Sequence, residues 1–292
     1  MTRALLLALA IAGAAQAGAT PGTCHPAGAV KASAEPLAGD QLSRELLLEP
    51  GIVPRPGLAS PTRVPWVNTN GARFLRRTDG RYRYELPEGK GALAAAEALA
   101  YNGDAVLRIA AGDLPAVCGV FAFVNALPAA ALPDIADIGV VDDGSAAAGE
   151  VMNLLVRRNL LFKVLATAEP RFAVNVVLGT PAYPAADAAD PSALALKIRR
   201  QLGDQRRALR IFGSEVVIAR LTGDARHARL HLLNYGNREI TGLRVRVRGT
   251  YAGGDAYVVD RGRVPLADYS AGDGAAEFSL PSLATYAVVD LR

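Results

Sequence analysis

Ile138-Gly139-Val140-Val141-Asp142-Asp143-Gly144-Ser145 is the stretch on which the fold of this chain turns. An apolar strand is expected over 135–141, and Ile138-Gly139-Val140-Val141 runs without alternating with polar residues. That pattern fits a strand buried on both faces, as in a parallel sheet. The acidic, Gly- and Ser-containing cluster stops the strand, and a strongly apolar helical stretch is expected over 149–165. Outward from this pair the alternation continues. An Ala-rich helix is expected over 89–101, ended by Asn102-Gly103-Asp104, then a strand over 105–109. Asp113 is expected to cap a helix reaching about Ala126. A further apolar strand spans 172–178, and Asp190-Pro191 opens a helix to about Leu202. Strands alternating with helices imply an α/β domain around a parallel sheet, assigned to 61–210.

After about Arg210 the helical period stops. Strands are expected over 214–221, 228–235, 240–250, 256–260, 276–280 and 285–291. In the third, Leu243, Val245 and Val247 alternate with Arg244, Arg246 and Arg248, a strand with one solvated face. Thr222-Gly223-Asp224 and Tyr235-Gly236-Asn237 supply turns. Residues 211–292 therefore read as a small all-β sandwich.

Toward the amino end, 64–75 reads as a strand region carrying Trp66, Asn68, Asn70 and Arg73, and 18–60 as a flexible leader dense in Ala, Pro and Gly. A turn or two of helix fits 42–48. Residues 1–17 hold Arg3, an apolar run over 4–12 and Ala15-Gln16-Ala17. This is the pattern of a secretory signal peptide, so a secreted or periplasmic location is expected. The run is far shorter than the roughly 20 residues that span a bilayer, and no later run is long and uncharged enough to do so. Thr20-Pro21-Gly22-Thr23 ahead of Cys24 does not match a lipid-attachment box. Hydrophobic residues make up 51%, which excludes disorder of the whole chain. A formal charge of +4 from 32 basic and 28 acidic residues gives no support for nucleic-acid binding. Cys24 and Cys118 could pair in an oxidising compartment. Cys118 sits in the apolar helical stretch Leu114-Pro115-Ala116-Val117-Cys118-Gly119-Val120-Phe121, so a buried free thiol is the expected state.

The chemistry is bounded first by what is missing. His25, His227 and His231 all fall outside the α/β region, so a Ser–His or Cys–His pair there lacks its base. No nucleophile elbow, phosphate loop, zinc cluster or calcium loop is present, and no cofactor or metal is expected. His227 and His231, if on one strand, stand about 13 Å apart and cannot share a metal. They read as surface or rim side chains. The leading ligand-site candidates are Asp142, Asp143 and Ser145, at the carboxyl end of a parallel strand where ligands bind in open α/β sheets. With them stand Glu150, Asn153 and Arg157, spaced three and four apart on one helix face. The bland alternative is a capped helix start with Glu150 and Arg157 in solvent. Trp66, Asn68 and Asn70 form a second candidate, a ring for stacking on sugar with amides for hydroxyls; a packing Trp and turn asparagines are the alternative.

Ile138-Gly139-Val140-Val141-Asp142-Asp143, the long helix behind it, and Arg229-Leu230-His231-Leu232-Leu233-Asn234-Tyr235 carry a family resemblance over about 100–292. The order of parts resembles the rear half of multidomain glycosidases of the thermophilic β-galactosidase kind. In these, a trimerisation-type α/β domain of flavodoxin- or amidotransferase-like fold precedes a β-sandwich. The resemblance implies glycan association and is compatible with a homo-oligomer. The catalytic barrel of that family needs roughly 200 residues or more, and only about 45 separate the leader peptide from the α/β region. No catalytic residue carries over. The expected role is therefore a secreted, non-catalytic glycan-associated accessory protein. A carboxylate-dependent glycoside hydrolase using Asp142 with Glu150, and a structural or oligomerising envelope protein, are the alternatives. Mass spectrometry of the exported protein should find a mature amino terminus near Gly18; an intact Met1 in the cell envelope would contradict export.

Overall fold

The computed structural model describes residues 24, 33–34, 51–52, 81–86, 88–101, 104–224, 226–236 and 238–292. The expected signal peptide over 1–17, most of the leader over 18–60, the turn at 42–48 and the strand over 64–75 with Trp66, Asn68 and Asn70 lie outside them. Within the leader, Cys24 and two short strands, β1 (Ser33–Ala34) and β2 (Gly51–Ile52), are nevertheless placed. With β3 (Arg81–Glu85) and β4 (Asp104–Arg108) they make a parallel sheet in the order β1-β4-β3-β2.

Between β3 and β4 lies helix α1 (Gly91–Ala100), and after β4 comes α2 (Leu114–Ala126). The helix α1 is buried almost all round, which its run of alanines permits. A Cβ on Gly91 would stand 2.8 Å from Val117 Cγ2, so the two helices approach as closely as only glycine allows. Asp113 precedes α2, yet its carboxylate caps the other helix. It accepts the backbone N–H groups of Gly89 (2.8 Å), Lys90 (3.2 Å) and Gly91 (3.1 Å) at the start of α1. The expected capping of α2 is thus replaced by a long-range cap that ties the two helices together.

A second parallel sheet follows: β5 (Ile138–Val141), α3 (Ala146–Arg157), β6 (Phe162–Leu165), β7 (Val174–Val176), with spatial order β6-β5-β7. The helix expected over 149–165 therefore ends eight residues early, and its last four residues are strand. Asn159 ends it, in the left-handed region at φ 49°. Leu160 N–H donates to Leu155 O (3.0 Å) and Asn159 N–H to Val156 O (2.9 Å), the paired bonds of a Schellman cap. Asn tolerates this conformation better than most residues. The last helix, α4 (Pro191–Leu202), starts as expected, with Asp190 Oδ1 accepting Ala193 N–H (2.9 Å), and ends before Gly203 at φ 78°.

The remainder is antiparallel. One sheet is β13 (Gly262–Val264), β12 (Gly254–Val258), β16 (Tyr286–Leu291), β10 (Ala228–Asn234) and β9 (Val217–Gly223), in that order. The other is β14 (Ala267–Gly272), β15 (Ala275–Leu283), β11 (Ile240–Arg248) and β8 (Leu209–Phe212). Leu221, Leu230, Leu232 and Val289 from the first meet Val245, Val247, Phe278 and Leu280 from the second in one core cluster. Within this antiparallel part three strands, β8, β13 and β14, escaped the sequence reading; the last two are mostly solvated and lack an apolar face to betray them.

The five-stranded sheet is also buried on its other face. Ile218, Leu233, Tyr286 and Val288 pack into the cluster built by α1, α2, α3 and β5. Its edge strand β9 does not end in solvent. Asn159 Nδ2 donates to Val217 O (2.9 Å) and its Oδ1 accepts Ala219 N–H (2.9 Å). Two residues further along, Ile135 N–H donates to Leu221 O (3.0 Å) and Gly223 N–H to Pro133 O (2.8 Å). The α/β part thus acts as the missing neighbour of β9.

Cys118 is not a free thiol. It is half-buried on α2 and bonded to Cys24, with Cα atoms 5.6 Å apart. The apolar helix around it suggested burial, and it is partly buried, but the distant Cys24 packs against the same core and takes its thiol. A covalent link across 94 residues restricts the unfolded chain strongly. Cys24→Ser and Cys118→Ser should each cost about 2–4 kcal/mol, the double variant no more, and denatured non-reduced protein should show no titratable thiol. Two free thiols in that titration would contradict the bond.

Candidate functional site

The three-stranded parallel sheet reverses direction about β5: the chain moves from β5 to β6 on one side, then to β7 on the other. In open α/β sheets such a reversal opens a crevice at the strands' carboxyl ends. Asp142 and Asp143 stand there. Ile138 and Val140 fix the strand by full burial, and Asp142 N–H donates to Leu165 O (3.0 Å) on β6. The loop is then shaped by its own carboxylates. Asp142 Oδ1 accepts Gly144 N–H (3.0 Å), Asp143 Oδ1 accepts Ser145 N–H (2.8 Å), and Ser145 Oγ accepts Ala148 N–H (3.1 Å) as the cap of α3. Gly144 has φ 78°, which the turn requires. All three side chains make further interactions.

Two residues over the face of this sheet, level with Gly139 rather than with the Asp142 loop, went unremarked in the sequence. Asn175, on β7, brackets the loop after β6: its Nδ2 donates to Glu169 O (2.9 Å) and its Oδ1 accepts Glu169 N–H (3.0 Å). A Cβ at Gly139 would lie 2.8 Å from that Oδ1, so glycine on β5 is what admits the Asn side chain. Glu169 itself pairs with Arg171 at 2.5 Å. The signal was a single amide inside the apolar run Val174-Asn175-Val176.

Glu150, Asn153 and Arg157 do share one face of α3, as their spacing requires, but the face points inward. Asn153 is fully buried and Arg157 is 5% exposed, while Glu150 is half-buried. Each has an interaction partner, so the solvated reading of Arg157 is corrected. The stripe also does not converge on the loop. Arg157 follows Ser145 by twelve residues, about 18 Å along the axis, and lines a different pocket at the far end of α3.

The remaining polar groups are structural. His227 lies in the exposed turn before β10, not on the strand. His231 is on it, half-buried, 2.7 Å from the Tyr286 hydroxyl and stacked on that ring, with Phe123 of α2 edge-on to the same ring. Burial, and after it the nearby Arg220 and Arg229, pushes the His231 pKa down to about 3. Both arginines reach the α/β part: Arg229, besides pairing with Asp290 on β16 of its own sheet, donates to Pro128 O, and Arg220 holds Asp134 and Ala100 O. The row Arg244, Arg246 and Arg248 is not simply solvated. Arg246 is buried, Glu277 takes Arg244 (2.8 Å) and Arg246 (3.6 Å), and Asp137 lies 3.6 Å from Arg248.

No protein-family model and no curated protein sequence matches the chain. Among solved structures, α-L-fucosidase isoenzyme 2 from Paenibacillus thiaminolyticus superposes with a TM-score of 0.57 at 10% identity, over 76% of this chain and 62% of that one. The chain thus matches less than two thirds of the fucosidase. A GH30 endoxylanase from Clostridium papyrosolvens (TM-score 0.22, 14% identity, 78% of this chain and 61% of that one) is far weaker. So is a rhamnosidase from Novosphingobium (0.27, 12%, 82% and 22%), and neither carries an argument. The fold is a mixed α/β part followed by an antiparallel β-rich part, similar in arrangement to that fucosidase structure.

The His231 environment sets an acid limit on stability. Its folded pKa lies below the ordinary 6.5, so the unfolded chain takes the proton first as pH falls. The stabilisation is complete above about pH 6.5 and is lost from there toward about pH 3. Denaturant unfolding should show a loss of about 2 kcal/mol between pH 6.5 and 5, at up to about 1.4 kcal/mol per unit. His231→Gln, which keeps a hydrogen-bonding group but no proton to gain, should flatten that slope; an unchanged slope would clear His231 of the effect.

Proposed function

We propose that this chain is an exported, glycan-associated accessory protein that binds carbohydrate without cleaving it. The likeness of the fold to that of the fucosidase is the observation that carries the reading. The strand order β6-β5-β7 supports a flavodoxin-like origin for the α/β part, and the two face-packed antiparallel sheets support a terminal β-sandwich. The division into units at 61–210 and 211–292 follows the same reading, and the two units share a core along β9. Export rests on residues 1–17.

The crevice at β5 is the proposed glycan site. Asp142 and Asp143 stand there on the loop after β5, each carboxylate held by a backbone N–H in a fixed orientation. Asn175 on β7, in register with Gly139, lies over the sheet face with the Glu169 loop it brackets. Hydrogen-bonded carboxylates and amides in preset positions suit sugar hydroxyls. A hydrolase reading uses the same place, with Asp142 and Glu150 as its two carboxyl groups, and is favoured by the fold's likeness to an enzyme. The arrangement favours binding, because an Asp142 carboxylate engaged in its own turn serves orientation more readily than proton transfer.

A glycan array followed by product analysis with the mature protein separates these readings. Binding to one glycan class with no released sugar is expected, with Asp142→Ala reducing that binding at least tenfold and leaving the folded spectrum intact. Released sugar would move the assignment to the hydrolase, and binding to no glycan would overturn both.

A further inference from the structure

We propose that the pocket between the ends of α3 and α4 and the strand β8 binds a small oxyanion, free or as the terminal group of a larger ligand. The inference does not rest on the glycan reading. The pocket has a volume of about 180 Å³, and Arg158, Arg199, Arg207 and Arg210 line it together with Glu215. This is smaller than the roughly 300–1,000 Å³ of sites for drug-sized ligands, and suits a single charged group.

The arginines divide by task. Arg207, 6% exposed, clamps the end of α3: its Nη2 donates to Arg158 O (2.9 Å) and Asn159 O (3.3 Å). Arg199 holds Asp204 through two bonds of 2.9 and 2.7 Å, and Arg207 reaches the same carboxylate at 3.2 Å. These two side chains account for the acid beside them and hold its pKa far below the usual carboxylate range. Arg158 and Arg210 are the surplus. Arg158 donates to Ser192 Oγ (2.9 Å), and Arg210 stacks on the Phe212 ring at 4.7 Å. Among the described residues Arg210 makes no ion pair, and the Nε groups of Arg158 and the buried Arg207 have no acceptor. Glu215, the remaining acid of the lining, is exposed.

Buried donors without acceptors are costly, and like charges held together raise the cost. Burial, with Arg199 beside it, pulls the Arg158 pKa below its ordinary value despite the opposing pull of Glu215. A bound oxyanion resolves both problems, since its oxygens match the spaced N–H groups of the guanidinium fork. The arginines come from three separate stretches of the chain, so no motif announces the pocket.

Arg158 and Arg210 are the residues to change, since neither belongs to the clamp on α3 or the Asp204 pair. Wild-type protein is titrated with sodium phosphate, sodium sulfate and sodium glucuronate at constant ionic strength, with chloride as the reference, by calorimetry and by thermal shift. Saturable binding above the chloride response is expected, weakened at least tenfold by Arg158→Gln with Arg210→Gln, and unchanged by the distant Arg263→Gln. Binding of phosphate and sulfate alone marks a tetrahedral ligand; binding of glucuronate as well marks any oxyanion. Should the double variant fail to fold, the Arg158 Nε–Hε resonance of the wild type is followed instead and should move on phosphate addition. Absence of saturable binding by all three anions, equal binding by a folded double variant, or an unmoved resonance overturns the proposal.

Discussion

The outer edge of β9 is the constraint on which the rest of the structure depends. An unpaired strand edge exposes a row of N–H and C=O groups, and burying them without partners is prohibitive. Here Val217, Ala219, Leu221 and Gly223 find those partners in Asn159 and in the segment 133–135. The α/β part and the β-rich part are therefore joined by strand-like hydrogen bonding in addition to apolar contact. Asn159 does this while ending α3 in a left-handed turn, so one residue sets both the helix length and the seam.

That seam fixes which end of β5 remains for chemistry. The amino end is committed: Asp137 Oδ2 accepts Ala208 N–H (2.8 Å), and Asp137 N–H donates to Leu161 O (3.0 Å). Burial raises the Asp137 pKa, against the pull of the Ala208 bond, Arg248 and Arg207. The carboxyl end, with Asp142 and Asp143, emerges at the opposite edge of the sheet. The same division holds for α3, whose start frames the crevice and whose end, with Arg157 and Arg158, closes the arginine pocket. Two candidate sites thus sit at opposite ends of one helix, and a ligand at either need not disturb the other.

A few charges fasten the parts together, Arg220 to Asp134 and Arg248 to Asp137 among them. Arg220 and Arg229 rise from the outer face of the five-stranded sheet, yet each finds both a carboxylate and a backbone carbonyl. Removing either acid would leave a largely buried guanidinium without its carboxylate, while the acids themselves keep contact with solvent. His231 and Tyr286 lie between them, kept neutral by the same burial.

Periodicity and caps were legible from the chain alone. The continuous apolar strand at Ile138, the Asp190-Pro191 start of α4 and the alternating strand at Leu243 are local patterns, because side-chain spacing and capping act within a few residues. The cluster Asp142-Asp143-Gly144-Ser145 was likewise visible as a strand-ending, helix-starting loop. Everything decided by distant partners was not. Asp113 caps the wrong helix for its sequence neighbours, Cys118 meets Cys24 across 94 residues, and Asn159 cuts short an apolar helix to satisfy β9. Asn153 and Arg157 turn inward although their spacing alone allowed either side. Local sequence determined which elements form and where most of them begin, because those are short-range energies. Tertiary structure decided which edges, charges and donors are satisfied, because a buried polar group takes its partner from whatever the fold brings near.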